Sequence, residues 1–173
     1  PEAVKPHYML THYYEIDNDP HNAINSYKKI LEIVPERHEN LLSIGDIYLT
    51  NLLDYTKSLD YYEKYLDFYP KNPESYERIS RVYMQQLIYD KAHEYILKAQ
   101  ALGASGADFE LKLNKIRWKL NNWSDDKYVS EVHSLVKKYN HENNFDSVML
   151  MYQEILSVYE ETGRVRKLIP FSK

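Results

Sequence analysis

The side chains of this 173-residue sequence with potential for metal binding or acid–base work are seven histidines and 26 carboxylates. His7 and His12 are five apart, which on a helix separates them by about 140° rather than stacking them as an i,i+4 ligand pair. His133 and His141 are eight apart, across what reads as a helix end. A metal site needs convergent ligands, usually with carboxylate or thiolate help, and the sequence contains no cysteine. Disulfides, thiolate metal sites and cysteine nucleophiles are thereby excluded. Asp17-x-Asp19 before Pro20 hints at a calcium loop, but the central glycine and distal glutamate are missing, so it reads as a helix cap. There is no Gly-rich phosphate loop, no G-x-S-x-G elbow and no H-E-x-x-H pair. The expectation is a protein that is not an enzyme, with no cofactor and no metal.

Composition narrows the partner class. The formal net charge is −4 and the isoelectric point about 6.0, against the basic face of an electrostatic nucleic-acid binder. No apolar run reaches the ~18 residues of a membrane span. Tyrosine is the outlier, at 18 residues against 4 phenylalanines. Its ring fills gaps between helices while its hydroxyl reaches the wet rim, and it is also a favoured interface residue. Base stacking would need basic neighbours, whereas Tyr13-Tyr14 and Tyr61-Tyr62 sit beside Glu15, Asp60 and Glu63. Nucleic acid is therefore not the expected partner.

These residues are positioned by a repeat. His7-x2-Leu10-Thr11-x2-Tyr14 leads to Ala23-x3-Tyr27 and Pro35; Leu41-x2-Ile44-Gly45-x2-Tyr48 leads to Ser58-x3-Tyr62 and Pro70. Tyr76-x2-Ile79-Ser80-x2-Tyr83 leads to Ala92-x3-Ile96 and a Gly103/Gly106 turn. Tyr14, Tyr48 and Tyr83 are 34 and 35 positions apart. Asp19-Pro20 and Asn72-Pro73 place a capping acceptor before a proline at the first helical position. Pro35 and Pro70 stop the preceding helices. Ala23, Ser58 and Ala92 mark a close approach of two antiparallel helices, and one extra residue in the Asn51–Tyr55 turn lengthens the second period.

This order and period resemble the tetratricopeptide repeat, over about residues 4–106. The resemblance implies an all-α, helix-turn-helix solenoid wound as a right-handed superhelix. It implies three repeats (about 4–37, 38–72 and 73–106), then a degenerate repeat or capping extension over 107–162 and a basic tail over 163–173. The family's groove positions map to Lys5, Tyr8, His12 and Glu15; Glu39, Leu42, Asp46 and Leu49; Glu74, Glu77, Arg81 and Met84. If the register continues, Asp108, Leu111, Lys115 and Trp118 follow. The partner-binding set expected from them is Tyr8, His12, Leu42, Asp46, Leu49, Glu77, Arg81, Met84, Lys115 and Trp118. Arg81 and Lys115 read as lone cations in an acidic and apolar groove, Arg81 facing either a ligand carboxylate or Glu77.

The function implied is a scaffold or adaptor that takes a protein or peptide segment in the concave groove, as part of a larger protein or complex. A dedicated chaperone for secreted or assembling proteins is the alternative; RNA binding by a helical-repeat array is disfavoured by Glu39, Asp46 and Glu77. Of the chaperone-peptide clamp positions, occupied here by Tyr8, His12, Ser43, Glu74 and Arg78, only Arg78 fits. Two registers compete over 107–142, one of them phasing Val132-x2-Leu135-x3-Tyr139 with Val148-x3-Tyr152. Ser124-Asp125-Asp126 reads as a cap cluster, after a helix ending near Asn121-Asn122. The helix over 145–161 is apolar around much of its circumference and is a second candidate interface, or is covered by 164–171. The chain opens at Pro1 directly into a repeat, as a fragment would, and the expected compartment is cytoplasmic.

Overall fold

Five of the described helices start where the sequence supplies a side-chain cap. In the computed structural model, which describes residues 4–120, 123–142 and 144–163, the described residues form nine helices and no strand. They are α1 (Lys5–Ile16), α2 (Pro20–Ile33), α3 (Glu39–Thr50), α4 (Tyr55–Phe68), α5 (Pro73–Gln85), α6 (Tyr89–Ala101), α7 (Ala107–Lys119), α8 (Asp125–His141) and α9 (Phe145–Glu161). Side chains of Asp19, Asp54, Asn72, Ser124 and Asn144 accept from the amide three residues on, at 2.8–3.3 Å. Each satisfies a helical N–H that has no partner within its helix. Pro20 and Pro73 follow two of these caps, and α2 and α4 stop before Pro35 and Pro70.

The chain divides into two compact units, Pro1–Gly103 and Ala104–Lys173. In the first, α1 pairs with α2, α3 with α4 and α5 with α6; α2 packs on α3, and α4 on α5. All three hairpins close the same way. The amides of Asp19, Asp54 and Ile88 donate to the carbonyls of Tyr14, Tyr48 and Tyr83 at 2.8, 2.8 and 2.9 Å. The residue before each closure, Asn18, Leu53 or Leu87, is left-handed, with φ of 55°, 53° and 61°. Ala23, Ser58 and Ala92 are buried at the close approach, and Tyr62 and Ile96 are buried one turn on. The Ser80 hydroxyl donates to the Ala92 carbonyl at 2.7 Å, tying α5 to α6.

In the second unit α8 packs on both α7 and α9. The amide of Asn144 donates to the Tyr139 carbonyl at 3.1 Å, the closure seen in the other three hairpins. The turn thus favours the register that places Tyr139 in line with Tyr14, Tyr48 and Tyr83. Val132, Leu135 and Val148 are buried as that register requires, but Tyr152 is exposed and Met151 takes the inner place. The core gathers Trp118, Tyr128, Val132, Tyr139, Met151, Ile155 and Val158. Trp118 stacks on Tyr128 with ring centroids 4.6 Å apart, and its indole N–H donates to Asp125 at 2.9 Å. Asn121, Asn122 and 164–173 lie outside the described residues.

Candidate protein-interaction surface

Asp46, on α3, is the centre of a polar network joining three helices of the first unit. The Tyr62 hydroxyl, from α4, donates to Asp46 Oδ1 at 2.7 Å. From α5, Arg81 Nη2 donates to the same oxygen at 2.5 Å and Arg78 Nε to Oδ2 at 3.1 Å. Arg78 also pairs with Glu74. Burial opposes the charge of Arg78, but Glu74 and Asp46 outweigh it and raise its pKa. Burial first, and Asp46 second, push the Tyr62 phenol up to about 12. A parallel contact stands in the first hairpin, where the Tyr27 hydroxyl donates to Glu15 at 2.7 Å; burial and Glu15 push that phenol up to about 12.

Beside this network lies a pocket of about 290 Å³, lined in part by Tyr14, Glu15, Asp19, Asp46, Thr50 and Asn51. A second, of about 460 Å³, is lined by Val4, Lys5, Tyr8, Val34 and Arg37. Both pockets have room for side chains, and the first is lined by the fixed carboxylate of Asp46. No group of three or more metal-ligating side chains comes together among the described residues.

The expected set of site residues divides by burial. His12 is exposed, and Tyr8, Asp46, Glu77, Arg81 and Met84 are partly so. Leu42 and Leu49 are core residues instead, 7% and 3% exposed, packed with Tyr62, Ile79 and Val82. Trp118 is 8% exposed inside the core of the second unit. Apolar side chains at these positions bury themselves against neighbouring helices rather than remain facing water, so they do not form an open apolar lining. The two cations are not alone either. Arg81 is paired with Asp46, and Lys115 with Glu154 at 2.8 Å, Tyr128 donating to the same carboxylate at 3.1 Å. The spacing held the signal for the first pair: Asp46 and Arg81 are 35 residues apart, one repeat period.

The tyrosines are largely accounted for by packing. Tyr48 stacks on Tyr61, and Tyr95 packs against Tyr76 and Tyr83. Lys57, Lys64, Lys91 and Lys98 lie over their rings at 4.4–5.2 Å.

No family model and no curated protein matches the sequence. Solved structures do match its fold. TPR-like repeats of a putative kinesin light chain from Podospora anserina superpose with a TM-score of 0.70 at 12% identity, over 96% of this chain and 90% of that one. MamA from Desulfovibrio magneticus RS-1 gives 0.65 at 16%, over 95% and 98%. The TPR2B domain of yeast Sti1, solved as a pHsp70 complex, gives 0.56 at 14%, over 70% and 98%. The chain has the all-α tetratricopeptide-repeat fold. No described helix is long and apolar enough to cross a membrane.

Proposed function

We propose that the chain is a protein-interaction adaptor rather than an enzyme, and that α1, α3 and α5 of its first unit present the receiving face. The observation that carries this reading is the Asp46 network, which holds side chains of α3, α4 and α5 in fixed geometry beside an open pocket. A rigid polar centre lowers the ordering cost of binding. Tyr8 and His12 on α1 and Glu77 and Met84 on α5 add exposed or partly exposed aromatic, polar and apolar area, suited to an extended or helical segment bearing apolar and basic side chains. The three hairpins act as repeats of one module, and the outward face of α9 is a second surface.

The test is capture of partners from the source cell, comparing wild type with Tyr8→Ala/Met84→Ser, whose side chains lie outside the Asp46 network. A protein retained by wild type and lost by a variant of equal melting temperature supports the receiving face. Equal retention by both places the interface elsewhere.

A further inference from the structure

α9 carries apolar side chains on two faces, and one of them is spent on the core. Val148, Met151, Ile155 and Val158 are buried in the second unit. Phe145, Met149, Tyr152 and Leu156 form a separate stripe at alternating spacings of four and three, and remain 61%, 59%, 45% and 43% exposed. That spacing is the seam of helix–helix packing, in which each side chain enters a hole on a facing helix. The 17 residues of α9 make the helix about 25 Å long. A single exposed leucine is ordinary, but a contiguous apolar patch marks an interaction site.

Charge identifies the occupant. α9 contains Asp146, Glu154, Glu160 and Glu161 and no lysine, arginine or histidine. Glu154 is engaged by Lys115 and Tyr128, and Glu161 by Lys119. Asp146, Gln153 and Glu160 recur every seventh residue along one border of the stripe, all exposed. In paired helices the positions bordering the seam choose the partner through their charges. A second α9 laid antiparallel would set Asp146 against Glu160 of the copy, a like-charge contact that disfavours self-pairing.

We infer that the outward face of α9 docks an amphipathic helix of a partner protein, one whose apolar seam is bordered by Lys or Arg facing Asp146 and Glu160. This rests on reading α9 as an interaction surface and adds the chemistry of what it takes.

The experiment uses the full chain and two synthetic three-heptad helical peptides with leucine at both seam positions, bordered by Lys in one and by Glu in the other. Binding is read by fluorescence anisotropy. The Lys-bordered peptide should bind about tenfold tighter or better than the Glu-bordered one, and added salt should narrow the gap. Asp146→Lys/Glu160→Lys should invert the preference. Met149→Ser/Leu156→Ser should abolish binding at an unchanged melting temperature, because both side chains face solvent. Equal binding of the two peptides, lost in Met149→Ser/Leu156→Ser, would overturn the basic partner and leave the surface standing. No binding of either peptide would overturn the surface itself. A wild-type dimer in sedimentation that Met149→Ser/Leu156→Ser renders monomeric would assign the face to a second copy and overturn the proposal. Binding that appears only after deletion of 164–173 would assign it to the chain's own tail, with the same consequence.

Discussion

A β-carbon built on Gly45 would stand 2.5 Å from Cε1 and 2.7 Å from Cδ1 of the Tyr62 ring. The glycine is there because α3 and α4 meet at that ring. Tyr62 is fully buried, and its hydroxyl is held by Asp46, so the ring is pinned at both ends.

Gly45→Ala tests this contact. Alanine would gain about 1 kcal/mol of helix propensity, but overpacking costs about 1–3 kcal/mol, and a pinned ring cannot swing aside. Thermal melting should show a net loss of stability. In a Tyr62→Leu background the same substitution should become neutral or favourable, a coupling that a double-mutant cycle reads directly. Equal effects in both backgrounds would mean that the ring does not set the glycine.

Alkaline pH tests the buried phenols. Tyr62 and Tyr27 are held at about 12 by burial together with Asp46 and Glu15, whereas an unfolded chain releases those protons near pH 10. Between these values the folded state binds more protons than the unfolded one, so raising the pH favours unfolding. Their contribution is complete below about pH 10 and is lost as the pH climbs towards about 12. Denaturant midpoints should be level up to about pH 9 and fall above it, and Tyr62→Phe should reduce the fall. An unchanged pH dependence in that variant would remove Tyr62 as its source.

Arg81→Glu tests whether Arg81 serves its own fold. Read from sequence, Arg81 is a lone cation; in the structure it donates to Asp46. The substitution should therefore destabilise, by about 1 kcal/mol given the partial exposure of both partners. Arg81→Lys, which keeps the charge and loses the planar fork, should fall between the two. A melting temperature equal to wild type in both variants would make the pair energetically idle.

Much of the fold was legible because repeats write it several times. The caps at Asp19 and Asn72 follow from local chemistry, and the stops at Pro35 and Pro70 and the buried Ala23, Ser58 and Ala92 from local chemistry repeated at one period. Which groove positions stay open was not legible. Leu42 shares a periodic place with Tyr8 and Glu77, and Leu49 and Trp118 share one with Met84, and periodicity fixes direction but not what lies opposite. The neighbour decides: Leu42 and Leu49 meet Tyr62, Ile79 and Val82, and Trp118 meets Tyr128. The second unit was harder because its repeat keeps the hairpin closure at Tyr139 while Met151 replaces Tyr152 at the buried place.

The hairpin turns hold the last prediction. Asn18, Leu53 and Leu87 occupy one structural place, each with φ between 53° and 61°. A left-handed backbone brings Cβ close to the carbonyl oxygen and costs an ordinary residue about 1–2 kcal/mol, less for asparagine, whose short polar side chain bonds locally. The first turn already has asparagine, while the other two place leucine there, 63% and 70% exposed. Leu53→Asn and Leu87→Asn should each stabilise by about 0.5–1 kcal/mol. Because the two turns belong to different hairpins, their effects should add. Urea denaturation would show the midpoint rising with an unchanged slope, the mark of relieved strain rather than altered compactness. A midpoint that stays put or falls in both variants would mean that the leucines contribute more by packing than the left-handed turn costs them.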